Sequence, residues 1–178
     1  MGGDTIFVAT GTYTDTGDEV VLIDKDITLS GGWDVSFTTQ GSTSTIDGED
    51  ARRGIFIFES VTAAVENFTV QHGYTDWEGG GIYNSGTLTL TNSTVSYNTT
   101  DRSGGGISAD SNSLAVIMDS RIYANHSLWQ GGGIAAYDNS HLSMSRSWVV
   151  GNAAPIDDGG GISVGGSAYI ENSIIAGN

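Results

Sequence analysis

Aromatic, acidic and amide side chains recur immediately before four Gly-Gly-Gly-Ile blocks, and this is the pattern in the chain best suited to chemistry on a ligand. A flat apolar ring beside oriented polar groups is what a sugar-binding surface requires. The two positions before each block therefore predict a candidate glycan-binding edge. Its residues are Trp77, Glu78, Arg102, Trp129, Gln130, Asp157 and Asp158. The alternative is that the tryptophans only cover the glycine turns as local packing.

Pairs of acidic residues along the chain could lend oxygen ligands to Ca²⁺. They are Asp24 with Asp26, Asp76 with Glu78, and Asp157 with Asp158. Dispersed surface carboxylates are the simpler interpretation, so Asp157 and Asp158 are only weak candidates for a Ca²⁺ site, and no other cofactor is predicted. The chain has no cysteine, which excludes disulfides and thiolate metal sites.

Groups for nucleophilic or acid–base catalysis are sparse. Only six side chains are Lys or Arg, and Arg52 with Arg53 comes closest to an acidic cluster because Asp47, Glu49 and Asp50 precede it. We expect this segment to form a solvated, charged turn. The sequence shows no Ser/His/Asp constellation, phosphate-binding loop or EF-hand spacing. It therefore predicts no catalytic residue.

The net charge limits the kinds of partner that the protein is expected to bind. The 178 residues include 21 acidic and 6 basic side chains, for a formal net charge of −15. A nucleic-acid surface needs clustered Lys and Arg, and anionic membranes attract the same residues, so neither partner is expected. No apolar run approaches the length of a membrane span, so no membrane insertion is predicted. Cations, basic partners and neutral glycans remain compatible with this charge.

The elements that must position these residues follow from an internal repeat. The four glycine blocks start 25, 27 and 28 residues apart, at Gly79, Gly104, Gly131 and Gly159. Asparagines end each repeat at intervals of 27, 27 and 26 residues, at Asn98, Asn125, Asn152 and Asn178. A period of this length is typical of a solenoid in which each repeat is one coil.

Aliphatic residues mark three short strands in each coil. The first strand carries two of them, two residues apart, which is the spacing of one strand face. The four inward rows are Leu88, Ala115, Leu142 and Ala168; Leu90, Ile117, Met144 and Ile170; Val95, Ile122, Val149 and Ile175; and Ile82, Ile107, Ile134 and Ile162. Such strands are stable only when stacked, so the pattern predicts an all-β, right-handed parallel β-helix of about six coils with three short parallel sheets.

The same pattern predicts a single domain over residues 1–178. Residues 1–50 form less regular coils with an excursion at 33–44, and residues 51–178 form regular coils of about 25–28 residues. The glycines should allow positive φ and close approach of the next coil. The asparagine that ends each repeat is expected in a left-handed turn, and stacked asparagines should bond amide to amide as a ladder.

Two parts of the chain resemble known β-helix proteins. The segments TIFVATGTYTD, DITLSGGW and STIDG resemble the opening coils of pectate-lyase-like right-handed β-helices. The segment GGGIYNSGTLTLTNSTVSYN resembles the repeat of large bacterial surface and secreted β-helix proteins, including polymorphic outer-membrane and adhesin types. The resemblance implies an extracellular or cell-surface location in a bacterium, as a mature segment or excised fragment. It also implies a structural or adhesive role, and the aromatic edge described above adds polysaccharide or a cell-surface glycan as the expected partner.

An enzyme is the alternative that the resemblance leaves open. Pectate-lyase-like enzymes bind Ca²⁺ through carboxylates and use Arg or Lys as the base, and Arg52 and Arg53 offer the nearest match. Polygalacturonase-like hydrolases place an acid pair before a histidine, whereas here His72 precedes Asp157 and Asp158. A polysaccharide lyase or glycoside hydrolase is therefore the second expectation.

The two ends of the coil stack suggest self-association. The coil around Ile162, Ile170 and Ile175 has no following coil in this sequence, and the strand Ile6–Ala9 offers an open edge at the other end. Unpaired strand edges invite pairing with another chain. Two interpretations follow: the sequence is an excised piece of a longer rod, or its ends make a head-to-tail contact between copies, which the net charge of −15 would oppose.

Overall fold

The chain forms a stack of coils built from short strands, as seen in a computed structural model that describes residues 3–178. In chain order the strands are β1 Asp4–Ala9, β2 Thr12–Tyr13, β3 Glu19–Ile23, β4 Ile27–Trp33, β5 Ser44–Asp47, β6 Arg53–Ile57, β7 Thr62–Glu66, β8 Phe68–Gln71, β9 Tyr74–Thr75, β10 Ile82–Asn84, β11 Thr87–Thr91, β12 Thr94–Ser96, β13 Thr99–Thr100, β14 Ile107–Ala109, β15 Leu114–Met118, β16 Arg121–Tyr123, β17 His126–Ser127, β18 Ile134–Ala136, β19 His141–Ser145, β20 Trp148–Val150, β21 Ile162–Val164, β22 Ser167–Glu171 and β23 Ile174–Ala176. Residues 3–178 hold no helical segment with the length and hydropathy of a membrane span.

The strands pair in parallel with the strand one coil away and build three long sheets. Sheet A contains β1, β4, β7, β11, β15, β19 and β22; sheet B contains β2, β5, β8, β12, β16, β20 and β23; sheet C contains β3, β6, β10, β14, β18 and β21. The prediction of an all-β parallel solenoid of about six coils is confirmed. Strands β9, β13 and β17 add a short sheet D, which we did not predict because two-residue strands leave no alternating pattern.

The core consists of aliphatic rows that run from coil to coil. Leu88 pairs with Ala115, which pairs with Leu142. In the next inward row Ile117 is completely buried beside its partners in the adjacent coils. The inward assignment of these rows is therefore confirmed. In the last coil Ile170 is 38% exposed, and head-to-tail association through this coil stays a prediction.

A ladder of buried asparagine amides joins the coils between sheets B and D. Nδ2 of Asn98 donates to Oδ1 of Asn125 at 2.9 Å, and Nδ2 of Asn125 donates to Oδ1 of Asn152 at 2.9 Å. Nδ2 of Asn125 also donates to the carbonyl oxygen of Val95 at 2.9 Å, and its Oδ1 accepts the backbone N–H of Asn98 at 3.0 Å. Every polar atom of this buried amide group is therefore engaged, and the predicted ladder is present.

The expectation that these asparagines take the left-handed conformation is wrong. The residue before each asparagine does so instead, with φ of 56° at Tyr97, 53° at Ala124 and 65° at Gly151. The left-handed turn comes one residue early, so the asparagine side chain points into the coil and can join the ladder. The third glycine of each block lies against this ladder, since a Cβ on Gly106 would meet Nδ2 of Asn125 at 2.9 Å.

The predicted excursion leaves the coil after β4 and returns at β5. Its base is held by an antiparallel bridge between Trp33 and Gln40. Its turn is fixed by Asp34, whose Oδ1 accepts the backbone N–H of Thr38 at 2.9 Å. The side chain of Val35 is left 90% exposed at the tip.

Replacement of Ile117 by Asp tests the core assignment. The buried position would hold an unpaired charge, so we expect the free energy of unfolding to fall by about 4 kcal/mol or more. Val116→Asp is the matched control, because Val116 directly precedes Ile117 on β15 and lies on the outward face with partial exposure. Thermal and denaturant unfolding measure both. Equal melting of Ile117→Asp and the parent protein would show that the inward rows are misassigned.

Candidate functional site

The residues before the glycine blocks lie in register on one edge of the coil stack. The backbone N–H of Gly79 donates to the carbonyl oxygen of Ser103 at 3.1 Å, and that of Gly104 donates to the carbonyl oxygen of Gln130 at 2.9 Å. These bonds repeat one coil apart, so side chains from successive repeats are brought side by side. The candidate glycan-binding edge is thus a continuous row.

A groove of about 680 Å³ runs along this edge, and we call it the glycine-edge groove. Four of its lining residues belong to the predicted edge, and four others were not predicted. The predicted ones are Glu78, Arg102, Trp129 and Gln130; the others are Asp76, Asp101, Ser103 and Tyr137. Its volume lies within the range of ligand pockets in proteins.

Two tryptophans give this edge flat apolar surface. Trp77 is 50% exposed and Trp129 is 54% exposed. The guanidinium carbon of Arg102 lies 3.9 Å from the centroid of the Trp77 ring, which is cation–π geometry. One face of the Trp77 indole is therefore covered by Arg102, and much of the remaining indole surface, like that of Trp129, is open to solvent. Both rings are accessible for stacking against a ligand.

Glu78 is the acidic group with the most unusual environment in the groove. Its Oε1 accepts a hydrogen bond from the hydroxyl of Tyr137 at 3.3 Å. Burial raises the pKa of the Glu78 carboxyl, and the positive charge of Arg102 opposes that shift only in part. Burial also raises the pKa of the Tyr137 hydroxyl. The carboxyl of Glu78 and the hydroxyl of Tyr137 therefore both stay protonated to a higher pH than the same groups in water.

Tyr137 reaches Glu78 across an intervening coil. Tyr137 follows β18, which pairs with β14, and β14 pairs with β10, the strand that follows Glu78. Sequence analysis missed this residue because it lies in the loop whose length varies between repeats. The only available signal was a tyrosine in a loop that follows directly on a strand of sheet C.

The other polar groups of the edge bind one another. Nε2 of Gln130 donates to Oδ2 of Asp157 at 3.0 Å, and Oδ1 of Asp157 accepts the backbone N–H of Asp158 at 2.9 Å. The hydroxyl of Tyr74 donates to Oδ2 of Asp101 at 3.0 Å. Within the described residues, no three His, Asp or Glu side chains come together as a metal site. A Ca²⁺ site at Asp157 and Asp158 stays an untested prediction.

Arg53 departs from the solvated turn expected for it. Arg52 does form a surface ion pair with Glu49 at 2.6 Å, but Arg53 is only 7% exposed. The Arg53 guanidinium lies 5.3 Å from the ring centroid of Phe56 and 5.4 Å from that of Tyr83. Burial lowers the pKa of Arg53.

The hydrogen bonds of Arg53 indicate a structural role. Its Nε donates to the carbonyl oxygen of Gly79 at 3.1 Å and its Nη2 to that of Glu78 at 3.0 Å. It therefore fixes the backbone at the first glycine block.

The histidine and the acid pair of the hydrolase expectation do not form one site. Nδ1 of His72 lies 3.1 Å from Oδ2 of Asp47, at the end of β8, and its ring is 6.2 Å from that of Tyr97. His72 does not line the glycine-edge groove. Asp157 lies beside Gln130 on the glycine edge instead.

Comparison with known proteins gave one result. A family model described as a right handed beta helix region matches residues 10–178. No curated protein and no solved structure matches the chain. The family match agrees with the parallel pairing of all three long sheets and adds the right-handed sense of the coil.

The raised pKa of Glu78 gives a testable pH dependence. The folded protein holds this proton more tightly than the unfolded chain, so the group's contribution to stability is greatest at low pH and falls as pH rises through the folded pKa. Glu78→Gln removes the titration and keeps an acceptor for Tyr137. As the pH rises above about 4, near the ordinary pKa of a glutamate in an unfolded chain, we expect the parent protein to lose stability relative to Glu78→Gln. Urea unfolding at a series of pH values measures this, with Asp76→Asn as an exposed control. Parallel profiles for the parent protein and Glu78→Gln would contradict the burial of Glu78.

Proposed function

Because the chain belongs to the right-handed beta-helix family, whose fold hosts many activities, we propose its function from the site and not from the fold. The proposed function is that of an extracellular or cell-surface structural and adhesive module that binds polysaccharide in the glycine-edge groove. The observation that carries this proposal is the open groove lined by Trp129 and Arg102, together with the exposed Trp77 ring that stacks on the guanidinium of Arg102.

The chemistry of the groove favours a neutral glycan. Sugar rings combine apolar faces with hydroxyl groups, and the groove supplies indole surface together with carboxylate, amide and guanidinium groups. Asp76, Glu78 and Asp101 outnumber Arg102, the one basic residue of its lining. The formal net charge of −15 adds long-range repulsion of polyanions. The resemblance of the repeat to bacterial surface proteins supports an extracellular location.

Removal of the two indoles tests this proposal. Isothermal titration and tryptophan fluorescence should detect binding of at least one glycan from a panel of neutral and acidic polysaccharides, with and without added Ca²⁺. We expect Trp77→Ala and Trp129→Ala each to weaken that binding roughly tenfold, and the double variant to lose binding in this groove, because each ring supplies stacking area. Tyr169→Ala is the control, since Tyr169 is exposed on the outer face of sheet A. Full affinity for this groove in the double variant would contradict the proposal.

A polysaccharide lyase or glycoside hydrolase is the second candidate function, and the environment of Glu78 favours it. A carboxyl group with a raised pKa, hydrogen bonded to Tyr137, is suited to protonate a leaving-group oxygen. Product analysis of the same incubations separates the two candidates. Binding without new reducing ends or unsaturated products supports the binding module. Cleavage that disappears in Glu78→Gln would establish the enzyme.

A further inference from the structure

A second groove lies on the outward face of sheet B, separate from the glycine edge. Its volume is about 420 Å³, and we call it the sheet B groove. It is lined by Arg121, Tyr123, Ala124, Trp148, Val150 and Gly151. The register of β16 and β20 puts Arg121 beside Trp148 and Tyr123 beside Val150. Neither the family match nor the glycine-edge groove accounts for this surface.

Aromatic rings from successive coils form a strip along this face. The guanidinium carbon of Arg121 lies 4.2 Å from the centroid of the Trp148 ring. The rings of Tyr97 and Tyr123 meet edge to face, with centroids 5.5 Å apart. Trp148 is 43% exposed and Tyr97 is 52% exposed. Tyr123 lies two residues along β16 from Arg121, the partner of Trp148. A ligand in contact with Trp148 and Tyr123 together would therefore run diagonally across two coils, about 4.8 Å along the axis of the stack and about 6.6 Å along the strands.

The floor of the groove is open. A Cβ added to Gly151 would meet nothing within 4 Å. Gly151 takes the left-handed conformation with φ of 65° in the row that also holds Tyr97 and Ala124. The side chains of this row become smaller from Tyr97 to Ala124 to Gly151. At Gly151 no side chain therefore stands beside the strip of aromatic rings.

The polar atoms around the strip identify the kind of ligand. Four side chains offer hydrogen-bond donors at this partly exposed surface. The donors are the guanidinium of Arg121, the hydroxyls of Tyr97 and Tyr123 and the indole N–H of Trp148. An apolar partner on sheet B would leave these donors without water or acceptors, which is costly. A chain of hydroxyl groups would satisfy them.

Charge and size argue against a second copy of this chain as the occupant. Each copy carries a formal net charge of −15 and would repel another. A groove of about 420 Å³ matches a small ligand and not the surface that a stable protein interface buries. Arg146 pairs with Asp119 at 2.6 Å on the neighbouring surface, and Arg121 is the one charged residue among the described residues that line the groove.

We propose that the sheet B groove is a second binding site for a neutral, linear polysaccharide with flat, equatorially linked sugar rings. One sugar ring stacks on the exposed surface of Trp148, and Arg121 and Tyr123 donate to its hydroxyl groups. This site does not depend on the glycine-edge groove being a glycan site. If both sites bind, the protein bridges two polysaccharide chains, because the grooves lie on different walls of the coil stack.

The test uses cellohexaose as the probe and isothermal titration of the full chain. The Trp77→Ala, Trp129→Ala double variant leaves only the sheet B groove, and we expect it to bind one cellohexaose. In that background Trp148→Ala should weaken binding roughly tenfold or more, whereas Trp148→Phe should retain most of the affinity because an aromatic face remains. Tyr169→Ala controls for loss of an unrelated exposed ring.

The outcomes separate this proposal from the previous one. Binding that Trp148→Ala abolishes, and that the Trp77→Ala, Trp129→Ala double variant retains in full, would support the sheet B site and exclude the glycine-edge site. Loss of all binding in the Trp77→Ala, Trp129→Ala double variant, with its far-ultraviolet circular dichroism unchanged, would overturn the sheet B site. Equal affinities of Trp148→Ala and Trp148→Phe would also overturn it.

Discussion

The buried asparagine ladder is the interaction on which the coil stack depends for its register. Parallel strands of two to five residues have few hydrogen bonds with which to resist a slip along the chain. Each ladder amide bonds to the amide of the next coil and to a backbone carbonyl of the previous one. A slip of one residue would leave these groups buried without partners, at a cost of about 1–3 kcal/mol for each group. Two local features serve the ladder, the left-handed residue before each asparagine and the third glycine of each block.

The register that the buried ladder fixes between coils also determines how the outward-facing side chains of successive coils align. In the coil of Asn125, Tyr123 precedes the ladder and lines the sheet B groove, whereas Trp129 follows it and lines the glycine-edge groove. The ladder therefore lies between the two grooves in this coil. Because successive coils stack in parallel, side chains from different repeats form rows without any further packing device. A surface of this kind suits an extended ligand, since its binding groups repeat along one axis.

The sequence predicted the repeating inward rows and the glycine edge, and it missed contacts that occur only once. Aliphatic residues two apart, such as Leu88 and Leu90, were enough to assign the inward rows, and the glycine blocks were enough to place Trp77 and Trp129 on one edge. The contact of Tyr137 with Glu78 could not be predicted, because it joins a variable loop to a residue two coils away. The burial of Arg53 was missed for a similar reason. The rings that enclose it, Phe56 and Tyr83, come from its own coil and the next, and only the folded stack brings them together.

The stability of Asn125→Asp tests the role of the ladder most directly. The substitution keeps the size of the side chain but replaces two donated hydrogen bonds with a carboxylate oxygen facing the carbonyl of Val95 and Oδ1 of Asn152. At pH 7 the free energy of unfolding should fall by about 3 kcal/mol or more, and part of that loss should return as acid protonates the introduced carboxylate. Asn139→Asp, at an exposed loop position, should leave stability almost unchanged. Equal stability of Asn125→Asp and Asn139→Asp at pH 7 would contradict the claim that the ladder holds the coils in register.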